Sequence, residues 1–146
     1  MVIIHASTKL ISTQIMMPYC MSRGRFVDSG PGEWLRRSRR NLLVAKSLLE
    51  SRFYDEVAFH AQQAAELALK ALQIQNTGRF SLVHDLTYLA REVSAPPRIM
   101  KLAAAVTPAY VGARYPDVGG KITRKSAEAT LEAARRIVRW VRRQTA

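Results

Sequence analysis

The chain has 146 residues, 48% hydrophobic and 23% charged, enough for one packed core and too little for two. Its formal charge is +12, from 23 Lys and Arg against 11 Asp and Glu; this balance attracts polyanions, nucleic acid or an acidic partner, or it serves only as a solubilising surface. Cys20 is the only cysteine, which excludes an intramolecular disulfide and fits a reducing cytoplasm, and no apolar run reaches the roughly 18 residues of a membrane-spanning helix.

Residues 1–30 read as an N-terminal extension or arm. Its two short apolar stretches are interrupted by Ser7, Thr8, Lys9, Ser12, Thr13 and Gln14, unlike the clean apolar core of a secretory signal. Met16, Met17 and Met21 are each alternative starts. Residues 23–32 form a loop that delivers Pro31 and Glu33 to a first helical turn, where a proline and an acid are both favoured. The domain proper is expected over 31–146.

The first helix is predicted from Trp34 to about Ser51, with Leu35, Ser38, Leu42, Ala45 and Leu49 on one stripe. Arg36, Arg37, Arg39 and Arg40 lie mostly off it. A second helix runs from about Asp55 to Gln75 and contains the Ala-rich run A-F-H-A-Q-Q-A-A-E-L-A-L-K-A-L, Ala58 to Leu72. Ala58, Ala61, Ala65, Ala68 and Leu72 make a narrow stripe that lets a neighbouring backbone come close. Gln63, Glu66 and Lys70 stand three and four apart, and Glu66 precedes Lys70 in the favourable order for an ion pair. Asn76-Thr77-Gly78 stops the helix.

A shorter third helix is predicted over Ser81–Val93, with Leu86, Leu89, Ala90 and Val93 inward and Asp85 near its start as a cap. Ser94-Ala95-Pro96-Pro97 breaks it. A fourth runs from about Pro97 to Val106 or Ala109. The Gly- and Pro-rich segment Tyr110–Lys121 reads as a loop. A fifth helix spans about Thr123–Arg143, with Ala127, Leu131, Ala134, Val138 and Val141 inward and Arg135, Arg139 and Arg142 on another side. No segment of more than a few residues alternates as a strand does. The expected fold is all-α, one antiparallel up-down bundle of four to five helices.

Taken in order, these pieces resemble a HEPN domain (higher eukaryotes and prokaryotes nucleotide-binding), in its small prokaryotic stand-alone branch. The resemblance covers roughly Trp34 to Arg143. It is carried by Trp34, Ala45 and Leu49, the run Phe59–Leu72, H-D-L at His84–Leu86, R-Y-P-D at Arg114–Asp117, and the basic amphipathic last helix ending near Trp140. The family implies a symmetric homodimer and a nucleotide- or RNA-binding module. It also implies pairing with a minimal nucleotidyltransferase, often as a toxin–antitoxin couple. Many members are metal-independent ribonucleases with an Arg, four to six residues, then a His. Arg79-Phe-Ser-Leu-Val-His84 matches that spacing, but ahead of the third helix rather than near the last ones.

Each candidate site residue has two readings. His84 can act as general base or acid on a ribose 2′-hydroxyl, since imidazole titrates near neutrality. Arg79 can then stabilise charge building on the phosphate. Alternatively, His84 and Asp85 cap the third helix and Arg79 is a solvated loop residue. Arg114 can grip a phosphate, Tyr115 can stack on a base, and Asp117 can orient Arg114 or meet a ribose hydroxyl. Alternatively, Arg114 pairs with Asp117 or Glu66 in a structural turn stiffened by Pro116. Gln63, Glu66 and Lys70 either face the same mouth or make interhelix contacts. His60 is expected to be a partly buried helix residue. Three scattered histidines and one cysteine make no zinc site, and Asp85 with Asp117 is thin for magnesium. The function expected is a HEPN-type module binding nucleotide or RNA; the alternatives are a ribonuclease toxin using Arg79 and His84, and a purely structural helical dimer.

Overall fold

The computed structural model describes residues 25–26 and 28–145. Most of the expected arm, with Cys20 and His5, lies outside them. The described chain is an up-down helical bundle. Pro31 and Glu33 open α1 (Pro31–Glu50) as expected. Its stripe faces inward: Ser38 and Ala45 are fully buried, and Leu35, Leu42 and Leu49 pack on the core. A tight turn with Arg52 at φ 65° leads to α2 (Tyr54–Thr77), which ends on Gly78 in the left-handed conformation at φ 71°. Glycine adopts that conformation without the Cβ clash other residues meet.

The alanines of α2 do what their size allows. Ala58, Ala61, Ala65, Ala68 and Leu72 are all buried. The close approach they permit shows where Ser38 Oγ reaches across to donate to the Ala64 carbonyl at 2.6 Å. Ala64, Leu69 and Ala71 are buried too, so the helix is covered around most of its circumference, by α1 on one side and α6 (Arg124–Thr145) on another. An alanine releases little energy on burial, whereas each fully buried leucine is worth about 1.5–3 kcal/mol. Leu69, Leu86, Leu89 and Leu131 are the largest such side chains.

After α2 the chain runs through β2 (Arg79–Phe80), α3 (Leu86–Glu92), α4 (Pro97–Val106) and the four-residue α5 (Ala109–Gly112) before α6. β2 pairs antiparallel with β1 (Arg25–Phe26), Arg25 opposite Phe80 and Phe26 opposite Arg79. Two boundaries correct the sequence expectation. The third helix begins at Leu86, not Ser81, because the segment before it is held by α2 instead of coiling. The segment expected as a loop from Tyr110 begins inside a helical turn, α5. On α6, Ala127, Leu131, Ala134, Val138 and Val141 are buried with Ile137 and Trp140, as its periodicity predicts. Gln75 Nε2 donates to the Gln144 carbonyl at 3.1 Å, which ties the C-terminal ends of α2 and α6 together. No helix among the described residues is long and apolar enough to cross a membrane.

Candidate functional site

A row of polar side chains is buried on α2: Gln62, Glu66, Lys70 and Gln73. They recur at i, i+4, i+8 and i+11, so they share one face. Burying charge is costly unless it is paired, and here it is paired: Lys70 Nζ donates to Glu66 Oε1 at 2.8 Å. The rest of the row reaches the segment between β2 and α3. Gln73 Oε1 accepts from the Ser81 amide at 3.0 Å. Lys70 lies 5.7 Å over the Phe80 ring, which itself packs on Trp34 at 4.6 Å. Gln62 Nε2 donates both to Glu66 Oε2 at 3.1 Å and to the His84 carbonyl at 3.3 Å. His84 Nδ1 lies 2.9 Å from Glu66 Oε1. The row is thus a docking strip that fixes residues 80–84 and ends at the His84 ring.

A carboxylate can only accept hydrogen bonds, so the proton of this bond sits on Nδ1. That leaves Nε2 on a side chain half open to solvent. An imidazole oriented in this way by a carboxylate, on a side chain half open to solvent, is suited to moving a proton.

The other face of His84 belongs to a stack. The Tyr110 ring lies 4.8 Å away and nearly parallel, at 18°. The Arg114 guanidinium sits 3.9 Å from the Tyr110 centroid and 4.4 Å from the Phe59 centroid. Its Nη1 donates to the Tyr110 carbonyl at 2.6 Å. Arg114 and Tyr110 meet because they are four residues apart at the end of α5 and the turn after it. That turn closes on itself: a Cβ on Gly119, at φ 90°, would come within 2.9 Å of Gly112 Cα. The order Phe59, Arg114, Tyr110, His84 therefore sets one guanidinium between two aromatic rings, with the imidazole stacked on the outer ring.

Phe59 also belongs to a shallow groove between α1 and α2, of about 590 Å³, which it lines with Arg36, Arg37, Arg40, Asn41, Gln63 and Leu67. Glu33 accepts from Arg36 Nε and Nη2 at 2.8 and 2.7 Å and from Arg37 Nε at 3.1 Å. These bonds hold its carboxyl down to about 2 and raise Arg36. Arg40 makes no ion pair among the described residues. Between the same two helices, His60 Nδ1 meets Asn41 Oδ1 at 2.8 Å.

The expected site residues do not all come together. Glu66, Lys70, His84 and Arg114 converge. Gln63 does not share the buried face of Glu66 and Lys70 and lines the α1–α2 groove instead. Asp85 accepts from the Thr87 and Tyr88 amides at 2.7 and 3.3 Å; it caps α3 alone, with no part played by His84. Tyr115 and Asp117 are exposed, and no side-chain hydrogen bond or ion pair joins either to His84 or Arg114. Arg114 pairs with neither Asp117 nor Glu66, because the two rings and the Tyr110 carbonyl already hold it. Arg79 is half-buried in β2, not a solvated loop residue. It lines a separate groove with Gln73, Asn76, Thr77, Phe80, Ser81, Tyr88 and Glu92, and His84 is absent from that lining. Sequence reasoning missed Gln62, Phe59 and Tyr110. Gln62 is legible as four residues before Glu66, and Tyr110 as an aromatic four residues before Arg114. No cluster of three or more His, Cys, Asp or Glu side chains suited to a metal occurs among the described residues.

The HEPN domain model matches residues 32–144. The chain belongs to the HEPN family. Its bundle is similar to that of TT1696 from Thermus thermophilus, at 31% identity and a TM-score of 0.72 over 77% of this chain and 96% of that one. It is similar as well to ST0689, an archaeal HEPN homologue, at 27% identity and a TM-score of 0.70, covering 81% and 99%. An HEPN domain protein from Thermotoga maritima aligns at 26% identity and a TM-score of 0.63, covering 77% and 97%. No curated protein is significantly similar. Within this HEPN bundle, the polar row of α2 and the Phe59–His84 stack together are the most chemically equipped surface.

Proposed function

We propose that this HEPN chain binds unpaired nucleotides of RNA, or a free nucleotide, along the strip from the α1–α2 groove to His84. The observation that carries it is the stack of Phe59, Arg114, Tyr110 and His84. Two rings and a carbonyl hold the Arg114 guanidinium, so its remaining edge is oriented for a phosphate before any ligand arrives. Aromatic groups interleaved with cations suit bases and backbone together. Arg40 and its neighbours extend the cationic part along α1. Family membership supports the accompanying proposal that the protein acts as a homodimer paired with a minimal nucleotidyltransferase, in a toxin–antitoxin couple. The test is binding of a fluorescent single-stranded oligoribonucleotide to the full chain and to Phe59→Ala and Arg114→Ala. Each variant should lose about 1–3 kcal/mol of binding, the usual worth of one stacking contact. Unchanged affinity in both variants would defeat the proposal.

A second reading is favoured by one observation, the Glu66 carboxylate on His84 Nδ1. In that reading the chain is a metal-independent ribonuclease in which His84 Nε2 takes a proton from a ribose 2′-hydroxyl. Cleavage would be EDTA-resistant, and His84→Ala would lose about 10²–10⁴-fold, the usual contribution of a general acid or base. Arg79→Ala separates the two versions of this reading, since Arg79 lines the other groove. Cleavage retained by His84→Ala would end it.

A further inference from the structure

The arginines of α6 form a second surface, away from the stack. Arg135, Arg136, Arg139, Arg142 and Arg143 recur at three- and four-residue intervals, about one 5.4 Å turn apart. Of these five, only Arg135 has an acidic partner among the described residues, Glu132 at a loose 3.9 Å; Arg124, at the start of the helix, pairs with Glu128. The sequence from Ala133 to Ala146 contains no acid at all. The opposite side of the same helix is locked into the core by Ile137, Val138, Trp140 and Val141, so the arginines stand on a rigid support. The bundle brings more positive charge to the same end. Trp34 of α1 packs on Phe80, just beyond the C-terminus of α2, and Gln75 of α2 bonds Gln144 of α6. The first half of α1, with exposed Arg39, which makes no ion pair among the described residues, therefore lies beside the last half of α6.

We infer that this arginine face of α6 grips the phosphate backbone of a double-stranded RNA stem. The arginines recur about once per 5.4 Å helical turn, and a row of fixed cations suits the regularly repeating charges of a phosphate backbone. Trp140, the one aromatic of the stripe, is buried, so α6 itself offers no ring for stacking on unpaired bases. Contacts made by arginines alone read the backbone and position it without reading sequence. The inference rests on RNA being the ligand of the strip described above. It adds that the two surfaces divide the work: unpaired nucleotides at Phe59, Tyr110 and Arg114, and the flanking stem on α6.

The experiment uses the full chain with a fluorescent RNA hairpin, a fluorescent single-stranded oligoribonucleotide and a fluorescent polyglutamate, each titrated over a salt series. The variant is Arg136→Ser with Arg139→Ser and Arg143→Ser, all at exposed positions. Hairpin affinity should fall at least about tenfold at low salt, and the salt slope should drop by about 0.9 per lost phosphate contact. Single-strand affinity should stay within about twofold of the parent, since the stacking contacts are intact. Unchanged hairpin binding would overturn the inference. So would equal losses on both RNAs, which would indicate only a change in overall charge. A variant that keeps the hairpin but loses polyglutamate would assign the face to an acidic protein and overturn it as well. Failure of the first reading looks different: Phe59→Ala and Arg114→Ala would leave single-strand binding untouched whatever α6 does.

Discussion

Two helices of this bundle use polar residues in opposite ways. On α2 the polar row Gln62, Glu66, Lys70 and Gln73 is buried, each member bonded to another member or to the segment 80–84. On α6 the arginines are exposed or half-exposed and mostly unpaired, behind a fully apolar inner face. The first arrangement fixes geometry, because a buried charge with a lost partner cannot turn to water. The second leaves charge available, because a solvated arginine contributes little to folding. In one small protein, then, the polar groups that hold the fold and those that can meet a ligand sit on different helices. They come closest at His84, where the buried row emerges.

Breaking the row should have the largest effect. Glu66→Ala leaves Lys70 buried without its partner, and about 3–5 kcal/mol should be lost in urea unfolding. Replacing both residues with apolar ones, Glu66→Leu with Lys70→Met, should recover much of that loss. An equally unstable double variant would show that packing, not unpaired charge, carries the effect. Next comes Asp85→Ala, which removes the carboxylate oxygen that accepts from two backbone amides at the start of α3. It should cost about 0.5–2 kcal/mol and fray the helix beside His84, visible as faster amide exchange at Thr87 and Tyr88. On α6, Arg139→Gln should change stability by less than about 0.5 kcal/mol. A larger loss there would erase the contrast between the helices.

The smallest expected effect is on acid stability. The Glu33 carboxyl, held at about 2 by Arg36 and Arg37 against an ordinary 4.5, binds its proton more weakly in the folded chain than in the unfolded one. Its contribution is complete above pH 4.5 and disappears as pH falls towards 2. Glu33→Gln should therefore narrow the stability difference from the parent only in that window, as read by unfolding midpoints at a series of pH values. Because the group is exposed, the effect should also shrink in high salt.

The bundle was largely legible in the sequence. Stripes such as Leu35–Leu49 on α1 and Ala127–Val141 on α6 follow helical spacing, and burial against neighbouring helices is what stabilises them. The start of α3 was not legible. Ser81–His84 has no turn signal of its own, and it stays extended because Gln73 and Gln62 take up its Ser81 amide and His84 carbonyl. The site was legible in part. Glu66 before Lys70 gave the ion pair, yet their neighbour in the row is Gln62, and a one-residue difference on a helix turns a side chain by about 100°. Arg79 and His84 have a suggestive spacing, but spacing along the chain carries no information about facing. One sits in a strand paired with Phe26 and the other on the Glu66 carboxylate. Tyr110 was hidden inside a segment whose glycines and proline read as loop.

The most direct test of the central claim is to follow the aromatic and histidine side-chain NMR signals of the full chain during titration with a single-stranded oligoribonucleotide. The account predicts shifts at Phe59, Tyr110 and His84 that saturate together and vanish in Arg114→Ala, whose fold should be intact. Shifts confined to signals far from this stack, or persisting unchanged in Arg114→Ala, would contradict it.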